Sequence, residues 1–208
     1  MKLKIRDKQT RPEISLNSGA IIALTGNIGT GKSFVMKEIK DLGYLTFNCD
    51  LEAKNVIKNS TEIKNYLTSE FPETIQNGEI NFPALSDIAF KTPNLLKKLS
   101  SYSHQKLHVK QAEVIAQNPH QTILFEIPLL FENSREQYFD YVILTYSDQQ
   151  TVAKRVLQRK GMTESKFHDI LSRQVSVAPN DPRVDFCIDT SQSEEHTKAQ
   201  LLKIFNGN

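Results

Sequence analysis

Residues Gly26-Asn27-Ile28-Gly29-Thr30-Gly31-Lys32-Ser33 place glycines, a lysine and a hydroxyl at G-x-x-x-x-G-K-[ST] spacing. Glycines let a backbone turn tightly, and successive N–H groups then point inward as donors to a phosphate. A lysine at this spacing reaches β- and γ-phosphates, and the serine hydroxyl suits Mg²⁺. A helix that begins here adds the partial positive charge of its N-terminus. The implied chemistry is binding of a nucleoside triphosphate with Mg²⁺. The residues expected to line the nucleotide are Gly26, Asn27, Ile28, Gly29, Thr30, Gly31, Lys32, Ser33 and Phe34, with Ser33 toward the metal. The plain alternative is a glycine turn that holds no ligand.

Two further constellations bear on where the phosphate goes. Asp50 follows the short apolar run Tyr44–Asn48. A carboxylate at the carboxyl end of a strand can orient a hydroxyl and take its proton during phosphoryl transfer. Its structural alternative is to cap a helix expected over Leu51–Lys58. Arg155 and Arg159 are four residues apart in a predicted helix and would share a face, beside an apolar stripe of Val152 and Val156. Planar guanidiniums suit the charge spread over a transferring phosphoryl group, and a solvated basic face is the alternative.

Competing phosphate-loop readings lack their signatures. No N-K-x-D guanine reader occurs, and no LSGGQ-like segment follows the loop. A small-molecule kinase is therefore expected. The alternatives are another nucleotide kinase or an ATP-dependent switch module.

These groups need a scaffold. The run Ala20–Thr25 is β-branched, short and bounded by glycines, as a buried parallel strand should be. Ser33–Leu42 reads as a helix stopped by Gly43. Further strands are expected at Tyr44–Asn48, Gln121–Ile127, Asp140–Tyr146 and Asp185–Asp189, with helices between them. That alternation predicts an α/β fold, a parallel five-stranded sheet covered on both faces. The interval between the second and third strands far exceeds a crossover helix. It reads as mostly helical, interrupted by a turn at Gln76–Glu79. The expected organisation is an N-terminal extension over residues 1–19 and one kinase domain over 20–208. The core of that domain is 20–50, 120–147 and 184–208, with a substrate-binding insertion over 51–119.

Composition sets the outer bounds. Hydrophobic residues make up 38% and charged residues 24%, as in soluble globular chains. A net charge of +2 gives no argument for nucleic acid or membrane as partner. Cys49 and Cys187 form no disulfide framework or metal spacing, and reduced thiols are expected. The charged first residues lack the apolar centre of a secretory signal, so a cytoplasmic location is expected.

Taken together, "ALTGNIGTGKSFV", "FNCDLEAKNVI", "NGEINFPALSDIAF", "TILFEIPLLFEN", "DYVILTYSDQQTVAKRVLQR" and "MTESKFHDILSRQ" resemble the dephospho-CoA kinase family, in order from Ala20 to Asp189. The most specific piece is Ile127–Glu132. The resemblance implies a three-layer P-loop fold and transfer of phosphate from ATP, with Mg²⁺, to the ribose 3′-hydroxyl of dephospho-CoA. It implies Lys32, Asp50, Arg155 and Arg159 as catalytic residues, and a lid over 148–183. It implies substrate contacts from Asp50, His104, Pro128 and Leu129, and Glu126 near Mg²⁺ through water. A monomer is the expected state, an oligomer the alternative. Some positions depart from the family pattern. Asn48 stands at the first acid of an Asp–x–Asp, Lys54 at an Arg or His, Gln105 after His104 in place of proline, Glu126 in place of Asp, and Thr190 in place of asparagine. Gln174 matches a family glutamine, although the basic residue expected soon after it is not evident.

Overall fold

A computed structural model describes residues 18–205. All of the expected N-terminal extension except Ser18 and Gly19 lies outside the described residues. In chain order the elements are β1 (Ile21–Thr25), α1 (Lys32–Asp41), β2 (Leu45–Asn48), α2 (Cys49–Lys58), α3 (Thr61–Glu70), β3 (Ile75–Gln76), β4 (Glu79–Ile80), α4 (Phe82–Lys91), α5 (Pro93–Gln117), β5 (Ile123–Glu126), β6 (Tyr141–Tyr146), α6 (Gln149–Leu157), α7 (Glu164–Leu171), β7 (Phe186–Asp189) and α8 (Glu194–Phe205). The chain divides into two compact units, Met1–Asn48 with Asn118–Asn208, and Cys49–Gln117.

The first unit is built on a five-stranded sheet of order β2-β5-β1-β6-β7, parallel at every pairing. Its central strand is apolar at successive positions: Ile22, Ala23 and Leu24 are all fully buried. A strand covered on both faces reads this way, because neither side alternates to polar. Ile22, Leu24, Leu124, Ile143 and Ile188 meet Val35 and Ile39 of α1 and Leu201 and Phe205 of α8 on one face. Full burial of each aliphatic side chain contributes about 1.5–3 kcal/mol. Alternate residues turn the other way, where Phe125 stacks with Phe47 at 5.3 Å and with Phe139 at 6.0 Å. Gly43, at φ 91°, ends the first helix–strand turn as expected.

Carboxylates tie down two strand beginnings. Asp140 Oδ2 accepts from Ile21 N at 2.8 Å, and Asp185 Oδ2 accepts from Val142 N at 2.7 Å. The opposite, carboxyl edge is where open α/β sheets bind ligands.

The second unit is largely helical. Ser60 and Asn81 cap α3 and α4, each side chain accepting a backbone N–H three residues on. Ile63, Leu67, Leu95 and Leu99 form its buried centre. The expected turn at Gln76–Glu79 is a two-residue hairpin joining β3 to β4. Asn77 and Gly78 take φ of 51° and 74°, the positive values that a tight hairpin of this kind demands. Lys110 Nζ bonds Glu52 Oε2 at 2.7 Å and holds that carboxyl below its usual range. Cys49 and Cys187 form no disulfide. Burial, reinforced by Asp189, pushes the Cys187 thiol up to about 11, so it stays protonated and inert. No described helix is long and apolar enough to cross a membrane.

Candidate active site

The chain leaves β1 at Thr25 and turns into α1 through Gly26–Gly31. Gly26, Gly29 and Gly31 take φ of 146°, 82° and 82°. At Gly26 a Cβ would strike the Thr145 carbonyl oxygen at 2.5 Å as well as the Thr145 and Thr30 hydroxyls. That position therefore demands glycine for space as well as for conformation. Gly29 lies against two valines of α6: a Cβ there would meet Val156 Cγ2 at 2.7 Å. Inside the turn, Thr30 Oγ1 donates to Asn27 O at 2.8 Å and pairs with Thr145 Oγ1 at 2.8 Å. The loop is thus braced from within.

Helix α1 begins with no capping side chain and no acid in its first turn. Its N-terminal dipole is not answered by a carboxylate of its own, which is the electrostatic requirement of an anion site. Lys32 Nζ folds back to Gly26 O at 2.6 Å and Asn27 O at 3.0 Å, across the loop opening. Ser33 is exposed at the start of the helix. Phe34 packs its ring against the sheet core, so its side chain serves α1 rather than the loop.

The expectation that the two arginines share a helix face changes. Helix α6 ends at Leu157, so Arg159 lies beyond its C-cap, Gln158, and does not share a helix face with Arg155. Arg159 is exposed, but Arg155 is half-buried and docked. Its guanidinium donates to Thr190 O at 2.7 Å and Thr190 Oγ1 at 3.1 Å, with Gly29 O at 3.5 Å. Thr190 Oγ1 in turn donates to Thr30 O at 3.0 Å and Tyr146 O at 3.1 Å. Arg155, Thr190 and the loop therefore form one hydrogen-bonded assembly. Val152 and Val156 close its apolar side with Phe167, Ile28 and Met162.

At the end of β5, the carboxyl of Glu126 is buried, and its Oε2 accepts from Asn48 Nδ2 at 2.6 Å. Pro128 and Leu129 sit in the turn beyond it, Leu129 exposed. Glu132, later in that turn, accepts from Val175 N at 2.7 Å. Asp50 and His104 belong to the second unit, and both are exposed. Helix α2 starts at Cys49, not Leu51. Asp50 therefore lies inside the first turn, where its charge complements the helix dipole, rather than at the cap position.

Sequence reasoning placed Thr190 and Gln174 only as positions of the family pattern and gave neither a contact. Thr190 anchors Arg155, and Gln174 Oε1 accepts from Ile28 N at 2.9 Å. The available signal was position: Thr190 is the first residue past the last strand, at the same carboxyl edge as the loop.

The described residues contain no group of three His, Cys, Asp or Glu side chains that could cage a metal. A single exposed serine hydroxyl and one buried carboxylate fit Mg²⁺, which keeps several waters and takes other ligands from substrate phosphates.

The dephospho-CoA kinase family model (CoaE) matches residues 20–195, from the strand before the loop to the last helix. The chain belongs to the dephospho-CoA kinase family. The family is one of ATP-dependent kinases. A dephospho-CoA kinase of Rhizobium etli is 33% identical over 186 residues, covering 88% of this chain and 91% of that one. Among solved structures, TT1252 from Thermus thermophilus superposes with a TM-score of 0.73 at 24% identity, covering 89% of this chain and 95% of that one. Dephospho-CoA kinase from Campylobacter jejuni superposes with a TM-score of 0.65 at 23% identity, covering 88% and 94%. Those structural matches show the P-loop kinase fold that the strand order already indicates. In this kinase the family match takes in every residue of the nucleotide loop, both arginines and Asp50.

Proposed function

We propose that this kinase transfers the γ-phosphoryl group of ATP to the ribose 3′-hydroxyl of dephospho-CoA, giving CoA and ADP, the last step of coenzyme A biosynthesis. The observation that carries the reading is the braced Gly26–Ser33 turn on an uncapped helix N-terminus, in a chain of this family.

Backbone N–H groups of the loop and the start of α1 hold the β- and γ-phosphates. Lys32 exchanges its loop carbonyls for phosphate oxygens and stabilises the charge that develops on them. Ser33 and Glu126 would hold Mg²⁺, Glu126 by way of its water shell, and the metal would neutralise phosphate charge. Asp50 orients the acceptor hydroxyl and takes its proton. Helices α6 and α7 act as a lid, with Arg159 as its exposed cation toward the phosphates and Arg155 fixing the loop from beneath. His104, Pro128 and Leu129 contact dephospho-CoA, and the 51–119 insertion is its binding region. The protein works in the cytoplasm as a monomer, with no nucleic acid or membrane partner.

The test is ADP release with MgATP, with and without dephospho-CoA. A kinase releases ADP rapidly only when the acceptor is present. Equal release without it would support a switch ATPase instead.

A further inference from the structure

The segment leaving α7 touches the nucleotide loop at one residue and the loop beyond β5 at the next. Gln174 N is held by Leu171 O at 3.0 Å, so its backbone is fixed to the end of α7. Its side-chain oxygen reaches Ile28 N at 2.9 Å, in the middle of the nucleotide loop. Val175 N donates to Glu132 Oε1 at 2.7 Å, in the turn that follows β5. The Ile28 side chain is itself packed against Val152, Val156 and Phe167, in company with Leu171. Ile28 is therefore gripped twice, its side chain by α6 and α7 and its N–H by Gln174, just past the C-cap of α7.

A loop of three positive-φ glycines has much conformational freedom to lose when it closes on phosphate. An acceptor that fixes one of its N–H groups removes part of that freedom in advance. The acceptor sits 146 residues away in sequence, at the exit of the helix pair that packs on the same loop. We propose that Gln174 is a positioning residue for the nucleotide loop. Its side-chain carbonyl presets the Ile28 peptide and so couples the placement of α6 and α7 to the loop's readiness for phosphate. The inference rests on the proposed kinase reading for its meaning, but not for its test.

The experiment compares the full chain with Gln174→Met, which keeps length and removes the acceptor, and Gln174→Glu, which keeps an acceptor oxygen at the same reach. Amide hydrogen exchange without substrates should show Ile28 exchanging on the order of tenfold faster in the Met variant, as loss of one hydrogen bond implies. Ile22 and Leu24 in β1 should be unchanged, and the Glu variant should protect Ile28 as wild type does. Titration calorimetry should show the MgATP dissociation constant of the Met variant raised, also roughly tenfold. If the Met variant fails to fold, Gln174→Ala takes its place. Unchanged Ile28 exchange in the folded variant would overturn the assignment. So would faster exchange with unaltered MgATP affinity, since that is a merely structural contact. Neither readout uses an acceptor substrate. Lack of dephospho-CoA-dependent turnover in wild type would count against the proposed reaction and leave this assignment to be judged on its own.

Discussion

Asn48 and Glu126 are register partners on adjacent parallel strands, and the Asn48 amide donates to the Glu126 carboxylate at 2.6 Å. Glu126 is only 6% exposed, so that neutral donor matters. A buried carboxylate needs its charge answered by donors. The amide at position 48 supplies one without adding charge.

Asn48→Asp should therefore be destabilising. It would set two carboxylates side by side and raise the proton affinity of one of them. A carboxyl whose folded pKa is raised binds more protons folded than unfolded, so the variant's stability deficit should grow as pH rises. Urea denaturation should show a loss of roughly 1–3 kcal/mol at pH 8 and a smaller one at pH 5. An equal loss at both values would mean that the two carboxylates do not meet.

Lys32→Ala should leave the fold intact and lower turnover by about 10²–10³-fold, the typical cost of removing one preorganised charge-stabilising group. Far-UV circular dichroism and a steady-state assay measure the two. Near-normal turnover in the folded variant would remove Lys32 from the chemistry.

The two arginines should separate. Arg155→Ala strands the Thr190 carbonyl and loosens the loop, so it should cost about 1–3 kcal/mol of stability as well as turnover. Arg159→Ala removes an exposed side chain and should stay within about 0.5 kcal/mol of wild type while reducing turnover. Thermal melts beside kcat test this. Equal melting temperatures for the two variants would contradict the docking of Arg155.

The reasons for that separation were not visible in the sequence. The strands were legible to within a residue or two, because runs such as Ile21–Thr25 and Tyr141–Tyr146 are rich in β-branched and apolar residues without polar alternation, as strands buried on both faces are. The nucleotide loop was legible because its spacing carries its mechanism. The end of α6 was not: Gln158-Arg159-Lys160 are good helix formers, and the first glycine comes at Gly161. Asn48 finds Glu126 78 residues on through sheet register, and Arg155 finds Thr190 35 residues on, just past the last strand. Such pairings exist only once the strand order is known. Capping of α2 was the structural alternative for Asp50, but the helix starts one residue before it.

Asp50→Asn tests the proposed proton acceptor. The change removes charge and basicity while keeping shape, and loss of a first-turn acid should cost at most about 1 kcal/mol. The variant should fold, bind MgATP with unchanged affinity by calorimetry, and transfer phosphate about 10²–10⁴-fold more slowly. Normal transfer would leave Asp50 a helix-end residue only. Lost MgATP binding would move it to the metal–nucleotide side.

The central claim is a destination for the phosphate, so the most direct measurement locates it. Wild-type protein is incubated with MgATP and dephospho-CoA, and the product is weighed by mass spectrometry and mapped by phosphorus–proton coupling in NMR. The account predicts one added phosphoryl group per dephospho-CoA, coupled to the ribose 3′ proton, with one ADP formed for each. Unmodified dephospho-CoA beside accumulating ADP, or phosphate on any other hydroxyl, would contradict it.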